Sequence, residues 1–218
     1  MDVVVKGVVY EVSNDKKEGS AVGLAMSILN GKIGISGGTM RDLGNAAKVA
    51  LTGGINLDAV YSAFSTDSRF RNISSPTVRV RSGESAYLEA GASVPVRSES
   101  SLDRNGNPVA SVKYQPSGII FDIRPTVRQE VIELVINQQI SSFTATTTSG
   151  IDSPTLNKRQ ATTTISAQPG ELLVIGGLEE SRTSNEDSGL PFLPRFLRTN
   201  GEQDSKTEIL LVLQVQKL

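Results

Sequence analysis

A mainly β protein is the expectation, and three observations carry it. Several segments alternate apolar and polar residues with a period of two. Ser, Thr, Val and Ile are abundant between turns marked by Gly and Pro. Helical spacing of apolar residues is clear in one short stretch alone.

The elements follow in order. Residues 3–12 open as a strand, beginning Val3-Val4-Val5. The glycine-rich segment 31–54 is read as strands, although Thr39 with Asp42 also suits a helix cap. Asn56 caps a short helix to about residue 67, because Leu57, Val60, Tyr61 and Phe64 fall at i, i+3, i+4 and i+7. Val78-Arg79-Val80-Arg81 alternates strictly, and its two arginines read as a solvated or salt-bridged face. In 119–127, Ile119, Phe121, Ile123, Pro125 and Val127 share one face and Asp122, Arg124 and Thr126 the other. After the polar break Arg128-Gln129-Glu130, residues 131–140 resume with Ile132, Leu134 and Ile136 on one face, so the pair reads as a hairpin. Further strands are expected at 160–167, 171–178 and 207–215, with a Pro169-Gly170 turn between the first two. Segments 98–117, 141–157 and 181–188 are polar and read as long loops or exposed hairpins. The first of them carries the turn signal Asp103-Arg104-Asn105-Gly106-Asn107-Pro108.

Composition narrows the function. The chain has 218 residues, enough to bury a sizeable core. Its 22 basic and 23 acidic side chains leave a net charge of -1, which gives no electrostatic ground for nucleic-acid binding. Cys and His are absent, which removes disulfides, Cys and His nucleophile systems and the commonest zinc ligands. No motif fixes a carboxylate pair, and Gly37-Gly38, Gly53-Gly54 and Gly176-Gly177 lack the spacing of a phosphate loop. The Asp103–Asn107 turn lacks the closing Glu of a calcium loop. The expectation is therefore no enzyme, no metal and no cofactor. Met1-Asp2-Val3 offers no basic n-region or apolar h-region, so no leader is expected. The apolar runs 172–178 and 209–213 fall far short of the ~18 residues of a membrane helix, which says nothing about a β-barrel.

One segment stands apart. Leu190-Pro191-Phe192-Leu193-Pro194-Arg195-Phe196-Leu197-Arg198 follows a polar stretch and is rich in large apolar side chains. As a helix, it places Phe192, Leu193, Phe196 and Leu197 in one sector and Arg195 and Arg198 opposite. That is the composition of an interfacial membrane anchor. A short helix packed on the domain's own core has the same pattern, and both readings stand at this point.

Taken together and in this order, the segments resemble the C-terminal channel domain of the secretins, the gated outer-membrane channels of bacterial secretion, pilus and phage-export systems. The residues that carry the resemblance are Glu11-Val12, Ser74-Ser75-Pro76-Thr77-Val78, Gly91-Ala92-Ser93-Val94-Pro95, Gly118-Ile119-Ile120-Phe121-Asp122-Ile123-Arg124-Pro125, Asn157-Lys158-Arg159, Leu173-Val174-Ile175-Gly176-Gly177-Leu178 and Gly189-Leu190-Pro191-Phe192-Leu193. The run Glu186 to Leu193 is most similar to the filamentous-phage export members. The lip sequence is shortened to Pro194-Arg195-Phe196-Leu197, and the periplasmic modules that precede this domain in the family are not part of the sequence.

The resemblance implies a secretin-type double-walled, multi-subunit β-barrel in the outer membrane of a Gram-negative cell. Each subunit would give several strands, gate hairpins, one short helix and a short lip helix over residues 1–218. It maps gate hairpins to about 91–115 and 141–160, with Gly91, Val94, Pro95, Asn105, Gly106, Ser142, Thr146 and Gly150 as gate residues. Gly91, Val94 and Pro95 would set the bend into the first hairpin. The membrane lip falls at 189–199, with Leu190, Pro191, Phe192, Leu193, Pro194, Phe196 and Leu197, and Gly176 and Gly177 are barrel-strand glycines. The implied partners are further copies of the chain in a ring, outer-membrane lipid, an inner-membrane assembly complex, a pilotin, and an exported cargo. That cargo is a filamentous phage particle first, and a pilus or folded protein in the type II, type III or type IV pilus alternative. A soluble β-sandwich binding module is the rival from another class. The burial of 190–197 discriminates the two.

Overall fold

The computed structural model describes residues 1–15, 20–34, 40–42, 48–102, 108–146, 154–188 and 199–218, with backbone alone at 15, 40–42, 98–102, 108–110, 177–188 and 199–205. The elements in chain order are β1 (Asp2–Asp15), α1 (Ala21–Ile33), β2 (Met40–Asp42), β3 (Lys48–Leu51), α2 (Leu57–Ser65), β4 (Phe70–Ser74), β5 (Thr77–Arg81), β6 (Ala86–Leu102), β7 (Pro108–Arg128), β8 (Val131–Thr144), β9 (Thr155–Ala167), β10 (Leu172–Ser188) and β11 (Thr199–Lys217). They build three layers: two helices, a seven-stranded sheet, and a four-stranded sheet.

The middle layer runs β2-β3-β10-β11-β1-β4, with β5 also on β1. It is buried on both faces, which explains its apolar runs. In β10, Leu173 and Ile175 face the four-stranded sheet, while Leu172 and Val174 face the helices. In β11, Leu211 and Leu213 alternate with Leu210 and Val212 in the same way. β1 places Val3, Val5 and Val9 on one side and Val8, Tyr10 and Val12 on the other. The second sheet is a meander, β6-β7-β8-β9, that packs Phe121, Ile123, Ile132, Leu134, Ile136 and Ile165 on the middle layer. The alternation expected for 119–127 and 131–140 is present, and Arg128↔Val131 closes the hairpin around Gln129, whose φ is 40°.

Helix α2 starts at Asn56, whose side chain accepts from Ala59 N at 2.8 Å, and buries Leu57, Val60, Ala63 and Phe64. Phe64 stacks on Phe70 with centroids 4.5 Å apart, and Tyr10 meets both rings edge-on.

The structure corrects the sequence reading at one helix and decides two open alternatives. First, there are two described helices rather than one short one, and α1 occupies 31–33, where strand was expected. Its small residues hide the pattern: Ala21, Val22, Ala25 and Leu29 are buried, Ser20 caps the start and Gly34 ends it at φ 62°. Lys32 joins the helices, reaching Ala63 O at 3.1 Å and the Thr66 hydroxyl. Second, Met40–Asp42 and Lys48–Leu51 are strands, as this part of 31–54 was read, and the alternative helix start at Asp42 does not hold. Third, of the two readings of 181–188, loop or hairpin, the hairpin holds: it is the outer half of β10, paired rung by rung with β11 as far as Ser188↔Thr199. A polar sequence can sit in a ladder because the bonds are backbone to backbone.

Candidate gate hairpins

The four-stranded sheet does not end as a sheet. β6 and β7 stay paired from Ala86↔Ile123 to Leu102↔Pro108. β8 and β9 stay paired from Ile132↔Ala167 to Thr144↔Thr155. Between them, however, β7 and β8 separate at Gly118↔Ser141, their last shared rung. Beyond it the sheet forks into two ribbons of two strands each.

The fork is built from backbone. Gly91 stands opposite Gly118, and each glycine receives the other strand's main chain where a side chain would be. A Cβ on Gly91 would lie 1.8 Å from Ser117 O; one on Gly118, whose φ is 132°, would lie 2.3 Å from Ala90 O. No side-chain rotation relieves a backbone overlap, so only glycine fits at either position. On the third strand, the Ser141 hydroxyl accepts from Gly118 N at 3.2 Å and lies 3.4 Å from Gly118 O. Ser141 is buried. Pro116 follows the same logic. It comes just beyond the fork, where β7 has lost β8 and needs no donor on that side.

The first ribbon is exposed on both faces. Val94 is half-buried and Pro95 exposed, and both stand in an unbroken ladder opposite Gln115 and Tyr114. The register slips farther out, between Arg97 and Ser100, where β6 carries one extra residue. Tyr114 is 68% exposed and Val112 52%. The second ribbon pairs polar side chains at Ser142↔Asn157 and Thr144↔Thr155 around one apolar rung, Phe143↔Leu156. Thr146 and Thr155 share a hydroxyl hydrogen bond of 2.7 Å, Asn157 donates to Thr144, and Ser142 is exposed. Asn105, Gly106 and Gly150 lie outside the described residues, as do Leu190, Pro191, Phe192, Leu193, Pro194, Phe196 and Leu197 of the lip.

One described ion pair ties the fork to the body. Glu11 on β1 takes Arg71 at 2.7 Å through one carboxylate oxygen and Arg159 at 3.3 Å through the other. Arg159 pairs with Ile140, one rung inside Ser141↔Lys158, so the ion pair bridges the two sheets at the root of the second ribbon. Beneath that root lies a cavity of about 250 Å³, lined by Ile136, Gln138, Ile140, Arg159, Gly176 and Leu211 among others. Gly176 holds the last regular rung before a one-residue bulge in β10, and Gly177 lies within it, between Gly176↔Leu210 and Glu179↔Glu208. From the bulge outward β10 keeps β11 as its neighbour and loses β3, which forms a third projecting ribbon.

Sequence reasoning named Gly91 but not Gly118 or Ser141 as a partner in the bend. The signal was present in Pro116-Ser117-Gly118, a proline and glycine inside a strand pattern, which marks a departure from regular pairing.

This geometry defines a class: a β subunit whose sheets outrun their shared core. Ribbons of two strands with both faces in solvent are marginal alone, and the outer edges of β6 and β9 have no neighbour among the described residues. The chain belongs to the secretin family; the family model described as bacterial type II and III secretion system protein matches residues 63–216. It is similar to secretin XpsD of Xanthomonas campestris pv. campestris, 28% identical over 73% of this chain and 24% of that protein. It is also similar to the virion export protein of Enterobacteria phage f1, 25% identical over 98% of this chain and 52% of that protein. The chain thus spans about half or less of these relatives' lengths. Among solved structures, the secretin of the ETEC pilotin–secretin AspS–GspD complex superposes with a TM-score of 0.55, at 17% identity, over 99% of this chain and 49% of that one. The Klebsiella pneumoniae type II secretion system outer membrane complex gives the same TM-score and identity, over 99% of this chain and 40% of that one. The fold is that of the secretin channel domain.

Proposed function

We propose that this chain forms the wall and gate of an outer-membrane export channel in a Gram-negative cell. Copies of it close into a ring through the open edges of β6 and β9, which leaves the four-stranded sheet no free edge and surrounds a wide lumen. The two ribbons beyond Gly118↔Ser141 turn into that lumen and obstruct it, and the segment 189–199 lies in the outer leaflet at the lip. The observation that carries this reading is the fork itself: two ribbons leave one sheet beyond Gly118↔Ser141, the first of them through the close pair Gly91–Gly118. The work is mechanical and non-enzymatic.

The cargo is a large assembled particle, a filamentous phage first. Likeness to the phage export protein runs along 98% of the chain, against 73% for the type II secretin. A type II, type III or pilus channel is the second reading, favoured by the slightly higher identity to the type II relative. A pilotin and an inner-membrane assembly complex are proposed partners, the pilotin because relatives of this fold are solved with one.

The test is deletion of residues 98–107 in assembled channels. Rings of normal size with raised small-solute leakage are expected. Unchanged permeability in an intact ring refutes the gate.

A further inference from the structure

We propose that Ser141 is the positioning residue that couples the two ribbons, and that its hydroxyl sets the angle at which the first ribbon leaves the sheet; this rests on the gate reading above. Three observations converge on it. Ser141 occupies the last rung shared by β7 and β8, so it is the final place where one ribbon can hold the other. Its hydroxyl reaches both polar groups of Gly118, the N–H at 3.2 Å and the carbonyl oxygen at 3.4 Å. Gly118 is itself twisted to φ 132° and pressed against Ala90, so its backbone cannot be steadied by a side chain of its own. A hydroxyl suits this place because it can donate and accept in turn, following the peptide as the ribbon swings.

The coupling has a direction. Through the inter-sheet pair Glu11–Arg159, the root of the second ribbon is fixed to β1. Ser141 hands that fixed position to the first ribbon through Gly118. The second ribbon therefore acts as the stop against which the first one rests. Loss of the hydroxyl frees the first ribbon without touching either hinge glycine or any barrel-closing edge.

Ser141→Val and Ser141→Thr make the decisive comparison, since the two side chains share a shape and differ in the hydroxyl. Assembled channels are reconstituted into planar bilayers, and single-channel leak is recorded beside wild type and the 98–107 deletion. S141V is expected to raise the leak roughly 2- to 10-fold, the population change that one lost hydrogen bond produces, with ring size and heat resistance unchanged. S141T is expected to stay near wild type. S141V and S141T leaking alike, or neither leaking while the deletion does, overturns the coupling and leaves the gate standing. If the deletion does not leak, the gate reading itself falls, and the latch is judged by amide exchange alone. Faster exchange at Gly118 in S141V than in S141T supports it, and equal rates overturn it. Ser141→Ala, measured in the same way, replaces S141V if the valine ring does not assemble.

Discussion

At the scale of single residues, charge and shape act through few contacts. The Asp67 carboxylate accepts the Arg69 side chain at 2.8 and 3.0 Å and its backbone N–H at 3.0 Å. These bonds hold its pKa below the ordinary carboxylate value against the opposing effect of burial. A depressed folded value contributes stability that is present above the unfolded pKa of about 3.9 and is lost as pH falls through the folded one. Asp67→Asn should therefore lower the melting temperature at pH 7 and make no difference at strongly acid pH, which parallel melts will show. Glu11 behaves differently, because its two arginines come from different sheets. Glu11→Gln should cost about 1 kcal/mol or less, given the exposure of Arg71, and the wild-type advantage should shrink as salt rises. Equal melting curves at low salt would sink the tie. Phe64→Ala removes the ring at the centre of the aromatic cluster and should cost about 3–5 kcal/mol by denaturant titration. Gly118→Ala must displace the Ala90 carbonyl and Gly91→Ala the Ser117 carbonyl, and both should raise channel leak in planar bilayers.

At the scale of elements, the helices show how local and distant signals share one task. α2 is specified locally by Asn56 and its apolar spacing, and Asn56→Ala should cost about 1 kcal/mol. α1 depends on the sheet. Glu208, buried on β11, accepts Ala21 N at 2.9 Å and pairs with Lys206 at 2.7 Å. Glu208→Gln keeps the shape but removes the charge that faces the half-buried Lys206 ammonium. A loss of about 3 kcal/mol is expected, with α1 amides exchanging faster than those of α2; equal acceleration in both helices would argue against a specific cap. Among strands, prolines sit where a neighbour is missing. Pro125 lies beyond the end of β6, and its carbonyl accepts Gly83 N at 2.7 Å.

At the scale of the whole molecule, the design is a firm body with loose extensions. The middle sheet is buried on both faces, whereas the ribbons beyond Gly118 and Ser141 have no second sheet paired behind them among the described residues. A lone chain therefore has a reason to assemble, since sharing edges supplies the neighbours that its ribbons lack. Detergent-solubilised material should run as a large, heat-resistant ring with a central lumen in negative stain. A monodisperse monomer that liposomes do not convert to rings would favour the soluble binding module instead.

Much of this was legible from residues alone. Period-two alternation located β5, the inner half of β7 and β8, and the run Leu172 to Ile175 already had the continuous apolarity of a strand buried on both sides. Such patterns are local, because side-chain period follows from backbone geometry. The motif order likewise carried the family. What the sequence could not carry were relations between distant residues. Small side chains concealed α1 because its stability comes from Glu208, 187 residues away. The polar stretch 181–188 left loop and hairpin both open because its ladder bonds use backbone that every residue has. The meeting of Gly91, Gly118 and Ser141 exists only once three strands are in register. The residue types were fixed by the chain, but the fork they form was decided by tertiary structure, since a close approach of backbones is a property of the pairing and of no single strand.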